Sequence, residues 1–511
     1  MKLAKLTNGL TVVSTTGAPA GIDPVVTAVC YDSRQVIPGA VFVAIEGFSV
    51  DGHRFIPDAV ARGAVAVVCR QPVSVDAAVV RVADPRAALA RLACRFYGHP
   101  ARQLTLVGVT GTSGKTTVTY LLEQILAQAG RSVGVVGTIN YRYAGKVFAN
   151  PVTTPESADL QAIFRQMVDS GVTHAVMEVS SHALDLSRVD GCNFDVAVFT
   201  NLSHDHLDYH ETMQNYWQIK QRLFLQYLKP ADRQHPVRSV VNADDAHGRE
   251  LAERLGTTAF RTSTGDGGDI RPVAVIRDLA GIRGQISTPA GTIDFDSPLV
   301  GDFNLENILA ATGAALALGI DPASIAAGIN TNACVPGRLE RITEGGERFI
   351  FVDYSHKPDA LENAIDALRR LTTGRLITVF GCGGDRDRTK RPVMGEIAAQ
   401  RSDLTVITSD NPRSEDPLAI IDAIETGVRR FCDRRLSAGT LARAETGKAY
   451  LVEADRRAAI SLAIGAARAG DTVLIAGKGH ETYQILAGET IHFDDREVAR
   501  EVLAATARRG A

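Results

Sequence analysis

Apolar runs of strand length alternate with stretches of helical period along nearly the whole chain, the pattern of α/β domains built on largely parallel sheets. Short β-rich runs such as Val41-Phe42-Val43-Ala44-Ile45 come first, followed by a helical pattern over 85–97 that stops at Gly98-His99-Pro100. A new unit opens with a strand over 104–109, a glycine-rich turn and a helix over 116–129 ended by Gly130. Further strands are expected at 132–136, 174–179, 196–200 and 237–241, and an apolar helix over 305–318 stops at Gly319. After Val335-Pro336-Gly337 the alternation restarts, with strands at 349–352, 376–380, 404–408 and 472–475 and helices at 358–371 and 417–430. The expected architecture is α/β in three domains: 1–103, a central P-loop-type domain with a mostly parallel sheet at 104–336, and a Rossmann-like domain at 337–511.

Composition narrows the function without choosing it. At 511 residues the chain exceeds a single core, which agrees with about three domains. Fifty-five Lys and Arg oppose 58 Asp and Glu, a formal charge of −3 that gives no global attraction for nucleic acid or anionic lipid, so phosphate binding has to be local. The seven cysteines stand singly, without the spacing of a zinc site or a disulfide framework. No signal-like or membrane-spanning apolar stretch is found, so a cytoplasmic protein without membrane insertion is expected.

Four clusters carry candidate chemistry. Gly108-Val109-Thr110-Gly111-Thr112-Ser113-Gly114-Lys115-Thr116-Thr117 lies between an expected strand and helix. There backbone N–H groups can cradle phosphate, Lys115 can neutralise it and Thr116 can hold Mg²⁺. The spacing is a variant P-loop, with Val109 where the general motif has its first glycine and a second glycine at Gly111. Glu178-Val179-Ser180-Ser181-His182 and the segment from Thr200 to His210 each follow a strand; Glu178 suits a metal, and His204, Asp205, His206, Asp208 and His210 within seven residues favour a hard divalent cation, without a zinc spacing. The plain alternative for the second is a polar loop of hydrogen-bonded histidines. In the last segment Arg386, Asp410-Asn411-Pro412-Arg413 and Gly477-Lys478-Gly479-His480-Glu481 all fall just beyond strands. Paired guanidiniums suit a carboxylate and Glu481 an ammonium, together an amino-acid pocket; alternatively each Arg pairs with a neighbouring Asp.

Taken together these motifs resemble the Mur ligase family over essentially the whole chain. The likeness extends to Asp32-Ser33-Arg34, Asp51-Gly52-His53, Thr153-Thr154-Pro155, Asn242-Ala243-Asp244-Asp245, Gly301-Asp302-Phe303-Asn304, Pro336-Gly337-Arg338-Leu339-Glu340 and Val352-Asp353-Tyr354-Ser355-His356. The resemblance implies that Ser33, Phe48, Ser49 and Val50 contact a uridine diphosphate, and that Thr153, Thr154, Ser180, Leu186 and Arg188 hold a muramoyl peptide. It implies ATP on Gly111, Thr112, Ser113, Gly114, Lys115, Thr116 and Thr117, with Asn307, Arg338 and Asp353 completing the site. Lys220 matches the family's carbamylated lysine, which with Thr116, Glu178 and His206 would hold Mg²⁺; from residue type and position alone it reads as a solvated helix residue. Asp410-Asn411-Pro412-Arg413 resembles the motif of diaminopimelate-adding members, so Arg386, Asp410, Asn411, Pro412, Arg413, Gly477 and Glu481 would grip the distal end of that diamino acid. Ser113, Leu186, His204, Ser355 and Lys357 depart from the commonest family pattern.

The implied activity is ATP-dependent addition of meso-diaminopimelate to a UDP-linked muramoyl dipeptide through an acyl phosphate, by a monomer whose third domain moves when ATP binds. Competing readings are a lysine-adding member, a folylpolyglutamate synthase, which lacks a UDP-binding first domain, and a nucleotide-switched binding protein. The last leaves Arg386, Arg413 and Glu481 unused.

Overall fold

The computed structural model describes residues 1–16, 23–47, 50–230, 236–331, 334–342, 346–441 and 447–510, the last four of these without their side chains. The chain divides into two compact units. One comprises Met1–Pro272, Ile286–Ile293 and Glu306–Ile329; the other comprises Val273–Gln285, Asp294–Leu305 and Asn330–Ala511.

The first unit contains two sheets. Its N-terminal sheet runs Val12–Thr16, Ala78–Val82, Ala66–Cys69, Ala40–Val43, Ala28–Cys30, parallel except at the first pair. Strand Ala40–Val43 is buried at all four positions, as a continuous apolar run requires when both faces are covered. Helix Pro85–Phe96 packs on this sheet, with Pro85 in its first turn and Asp84 accepting hydrogen bonds from the N–H groups of Arg86 and Ala87.

The central sheet has eight strands in the order Ala259–Thr262, Ser239–Asn242, Val196–Phe199, Thr105–Thr110, His174–Glu178, Val133–Val136, Asn140–Tyr143, Lys146–Ala149. The first six are mutually parallel and the last two are an antiparallel extension. Thr105–Thr110 therefore sits between His174–Glu178 and Val196–Phe199, with Glu178 opposite Val109 and Phe199 opposite Thr110. Three chemical motifs that are far apart in sequence leave the sheet at one edge, the carboxyl ends of neighbouring strands, where such sheets bind ligands.

The second unit repeats the arrangement with a sheet ordered Glu340–Ile342, Phe349–Asp353, Thr472–Ala476, Leu376–Phe380, Leu404–Ile407, Ala449–Val452, antiparallel only at its first pair. Helices Pro358–Leu371 and Pro417–Val428 cover it, the latter capped by Asp416. The α/β expectation with largely parallel sheets holds. The antiparallel Asn140–Ala149 extension, the separate sheet of Arg271–Asp278, Gly281–Thr288 and Gly291–Ser297, and the antiparallel hairpin Tyr483–Leu486 with Glu489–His492 were not foreseen. All seven cysteines are free thiols. Among the described residues no helix is long and apolar enough to cross a membrane.

Candidate active site

The glycine-rich loop joins strand Thr105–Thr110 to helix Lys115–Gln128 through backbone that only glycine adopts easily. Gly111 has φ +145° and a Cβ there would fall 1.9 Å from Thr200 Oγ1; Gly114 has φ +87° and a Cβ would fall 2.3 Å from Asn307 Oδ1. Asn307, 4 % exposed, is thus packed against the loop. The strand-end residues brace it from the other side: Thr112 N–H donates to Asn201 O at 2.8 Å, Ser113 N–H to Asn201 Oδ1 at 2.9 Å, and Thr200 Oγ1 to Ser113 O at 2.6 Å. Lys115 Nζ donates to Gly111 O at 2.9 Å and Thr112 O at 2.8 Å.

Gly111 O also accepts from Lys220 Nζ at 2.8 Å, so two lysine side chains converge on one carbonyl. Lys220 is 1 % exposed, which overturns its reading as a solvated helix residue. The reason lies in helix Met213–Leu225, started by Thr212 accepting from Asn215 N–H: its buried positions include Tyr216, Trp217, Lys220, Leu223 and Phe224, and helical period puts Lys220 in the middle of that stripe. Burial, and secondarily Lys115, holds the Lys220 amine well below the usual lysine range. Tyr216, four residues earlier, lies beneath it with the ring centroid 4.5 Å from Nζ. The same tyrosine places its hydroxyl 3.3 Å from Thr112 Oγ1, stacks on His210 at 5.0 Å and meets the His206 ring edge-on at 6.1 Å. Tyr216 was missed by sequence reasoning, although a tyrosine four residues before a lysine on a helix is a signal that the two side chains meet.

His206 holds a left-handed conformation, φ 55°, with Nε2 3.4 Å from Asp205 Oδ2, and its ring lies 5.0 Å from that of His182. Buried His210, 2.8 Å from Ser181 Oγ, is pushed down to about 4 by burial and by His182. The alternative of a loop of hydrogen-bonded histidines thus describes His210, whereas His204 is exposed. Glu178, 1 % exposed, accepts from Thr138 N–H and Thr138 Oγ1, both at 2.8 Å. Among the described residues no three His, Cys, Asp or Glu side chains gather as a metal site. As donor types, Glu178, His206 and the Thr116 hydroxyl would suit a hard cation, with a carbamate on Lys220 as the anionic oxygen donor.

Thr153, Thr154, Ser180 and Arg188 come together next to Glu178. Thr153 Oγ1 lies 3.1 Å from Thr138 Oγ1; Thr154 Oγ1 donates to Glu178 O at 2.8 Å and accepts from Ser180 N–H at 3.1 Å; Arg188 donates to Thr154 O at 3.1 Å. Glu156 pairs with Arg188 at 3.4 Å and with Arg86 at 2.8 Å, and Arg86 reaches Glu46 O at 2.9 Å. The N-terminal and central sheets are thereby tied through one buried carboxylate. Ser33 is buried in that N-terminal fold, Val50 is exposed, and Leu186 is half-buried at the end of helix Ser181–Asp185. Phe48 and Ser49 lie outside the described residues.

In the second unit the strand ends bring together the expected amino-acid residues. Gly477 follows Thr472–Ala476 with φ +119°, and a Cβ there would lie 3.3 Å from Asp410 Oδ2. Asn411, 4 % exposed, donates from Nδ2 to Glu481 Oε2 at 2.9 Å. Arg413, held at φ 54°, donates to Gly384 O at 2.7 Å, and a Cβ on Gly383 would sit 3.1 Å from its Nη1 and 3.9 Å from Arg386 Cγ. Neither arginine forms an ion pair among the described residues: Arg386 donates to the Asp385 carbonyl, so the alternative of Arg–Asp pairing is not what the fold uses. Glu415 instead takes Arg391 and Arg388, which holds its carboxyl down at about 2 and clamps the loop of Gly383 to that of Pro412. Sequence reasoning passed over Lys478, which is fully buried between Asn411 and Glu481, and the buried Arg456–Asp495 pair behind Gly477. The lysine stood in a quoted motif; nothing local signals a pair 39 residues apart.

Arg338 and Asp353 also belong to the second unit. Asp353 accepts from Leu339 N–H at 2.7 Å and from Ser355, and burial raises its carboxyl above the usual range against the pull of Ser355 and Arg338. The Arg338 guanidinium lies 5.2 Å over the Tyr354 ring, which packs between His356 and His480.

Three family models match in succession: "Mur ligase family, catalytic domain" over residues 25–97, "Mur ligase middle domain" over 109–315, and "Mur ligase, glutamate ligase domain" over 337–479. The UDP-N-acetylmuramoyl-L-alanyl-D-glutamate–2,6-diaminopimelate ligase of Geobacter metallireducens is 49 % identical over 468 residues, 91 % of this chain and 92 % of that protein. The ligase of the same name from Gloeobacter violaceus is 49 % identical over 94 % of each chain. A solved structure of a protein of that name superimposes with a TM-score of 0.67 at 33 % identity, covering 94 % of this chain and 95 % of that one.

Proposed function

The chain belongs to the Mur ligase family, and from that membership we propose that it is the ATP-dependent, ADP-forming ligase that adds meso-diaminopimelate to UDP-N-acetylmuramoyl-L-alanyl-D-glutamate in peptidoglycan precursor synthesis. The observation that carries the choice of amino acid is the second-unit pocket. Arg386 and Arg413, without a carboxylate partner among the described residues, stand beside Asn411 and Glu481, groups for both the carboxylate and the ammonium of a distal amino-acid terminus. L-Lysine has the ammonium without the carboxylate, and leaving a site's charged donors unpaired costs about 1–3 kcal/mol or more.

The reaction begins when a carboxylate oxygen of the D-glutamyl residue attacks the γ-phosphorus of ATP, forming an acyl phosphate and releasing ADP. The amine of diaminopimelate then attacks the acyl carbon, the bond to the phosphate oxygen breaks, the amine gives up a proton, and amide and inorganic phosphate remain. Little covalent chemistry falls to the protein, so positioning and charge stabilisation supply the acceleration. Lys115, at the start of helix Lys115–Gln128, would turn from the Gly111 and Thr112 carbonyls to the phosphates, where the loop N–H groups of Gly111 to Thr117 and the helix N-terminus also favour negative charge. Asn307 would fix the nucleotide from beneath the loop, with Arg338 and Asp353 completing its binding. Thr153, Thr154, Ser180, Leu186 and Arg188 would hold the muramoyl peptide, and Ser33 with Val50 the uridine diphosphate. Thr116, Glu178, His206 and carbamylated Lys220 would hold Mg²⁺, which when bound screens the repulsion between phosphate and carboxylate. The substrates are small molecules, and we place the reaction in the cytoplasm.

The test is isotopic. With heavy oxygen in the D-glutamyl carboxylate, one labelled oxygen should appear in the inorganic phosphate released. Unlabelled phosphate from a competent ligation would exclude the acyl phosphate.

A further inference from the structure

Lys478 has no side-chain surface exposed, yet it is surrounded by the groups that would read the incoming amino acid. Its Nζ donates to Asn411 Oδ1 at 3.1 Å and to Glu481 Oε2 at 3.2 Å, lies 3.6 Å from Asp410 Oδ1, and sits 5.5 Å over the Tyr483 ring. Asp410 Oδ1 is buried without a hydrogen-bond partner among the described residues. Asn411 is locked in orientation, since Oδ1 also accepts from Ile485 N–H at 3.0 Å while Nδ2 donates to Glu481 Oε2. Two donors thus converge on Glu481 Oε2, and Oε1 accepts none of the hydrogen bonds among the described residues.

Charge around Gly383, Asn411 and Gly477 follows directly. Lys478 lies 3.6 Å from Asp410 and 3.2 Å from Glu481, Arg456 behind Gly477 is offset by Asp495 at 2.7 Å, and Arg386 and Arg413 form no ion pair among the described residues. Lys478 is therefore matched from within the pocket, and the two guanidiniums are left for a carboxylate from outside. A zwitterionic amino-acid terminus meets the pocket without net repulsion. A bare alkylammonium brings one positive charge and nothing for the guanidiniums.

We propose that Lys478 is the specificity-setting residue of this pocket: by pinning Glu481 and Asn411 from within and offsetting Asp410, it makes the pocket accept a zwitterionic amino-acid terminus and refuse a lone amine. This rests on the ligase reading above. Lys478 acts through Glu481 and Asn411, so it is a positioning residue.

The experiment compares meso-diaminopimelate with L-lysine as second substrate, by kcat/KM, in the full-length enzyme with ATP and UDP-muramoyl dipeptide. Wild type should prefer diaminopimelate; equal use of both would refute the ligase reading's choice of amino acid and, with it, this inference. Lys478→Gln keeps a donor for Asn411 and Glu481 but drops the charge, and should lower the preference about tenfold or more with KM for ATP unchanged. Lys478→Arg, where it folds, should recover preference. An equal loss on both amino acids, at wild-type preference, would leave the ligase reading standing and overturn the role of Lys478. Should Lys478→Gln not fold, Asp410→Asn decides, because removing an anion makes the pocket more positive: a sharper preference supports the proposal, and an unchanged or weaker one overturns it.

Discussion

A lysine with 1 % of its surface exposed, hydrogen-bonded to a carbonyl it shares with a second lysine, is poorly placed to remain an ammonium. The neutral amine is the form that adds carbon dioxide, losing a proton as the N–C bond forms, and the anion produced would sit between Lys115 and the Glu178 edge of the sheet. Protein equilibrated with carbon-labelled bicarbonate should therefore show a carbamate resonance that Lys220→Ala lacks. The same substitution should lower kcat by on the order of 10²–10³. A wild-type turnover rate in Lys220→Ala would remove Lys220 from the site. Lys115 was legible from the loop motif alone, whereas Lys220 was reached only through the family resemblance, since residue type and position read it as a solvated helix residue. Its place in the Tyr216, Trp217, Leu223, Phe224 stripe was the available correction. A second residue-scale expectation concerns pH. Burial holds His356 and His480 down to about 4, below the ordinary 6.5. Between these values the unfolded chain binds protons that the folded chain refuses, so stability is full above about 6.5 and falls as pH drops toward 4. Melting temperature should decline over that interval, and less so in His480→Gln; a flat profile would contradict the burial argument.

At the scale of elements, strand and helix positions were legible wherever the period was long and apolar, as in helix Pro358–Leu371 and strand Leu376–Phe380. They were not legible where alternation is weak. Strand Arg271–Asp278 has no buried position and gives no apolar face to read. The order of strands was also invisible, because no local pattern reports that Thr105–Thr110 lies between His174–Glu178 and Val196–Phe199. The phosphate loop is the element whose geometry is most tightly set. Gly114→Ala forces a Cβ into a left-handed position and onto Asn307, and should raise KM for ATP about tenfold or more while leaving the melting temperature within a few degrees. A wild-type KM would mean that the loop does not shape the nucleotide site. Behind the amino-acid pocket, Arg456 and Asp495 form a bidentate pair with neither side chain exposed. Asp495→Ala strands a buried guanidinium and should destabilise the second unit by about 3–5 kcal/mol in denaturant unfolding; a loss below about 1 kcal/mol would show that water or Asp410 takes over.

For the whole molecule, two sheets each gather their chemistry at the carboxyl ends of adjacent parallel strands, one set proposed for phosphate and a peptide carboxylate, the other for an amino acid. Sequence motifs named nearly all of these residues, and the resemblance to a family assigned them roles. What the motifs could not give was charge balance, because Lys478, Asp410 and Glu481 acquire meaning only once the fold brings them within 3.6 Å or less of a shared ammonium. The central claim is that ATP cleavage is coupled to a muramoyl dipeptide and to a diamino acid with a carboxylate at its far end. It is tested most directly by phosphate release from the purified enzyme with ATP and UDP-muramoyl dipeptide, comparing meso-diaminopimelate with L-lysine. The account predicts phosphate stoichiometric with new amide when diaminopimelate is supplied, and far slower release with lysine. Phosphate release that ignores the dipeptide, or that lysine supports equally, would contradict it.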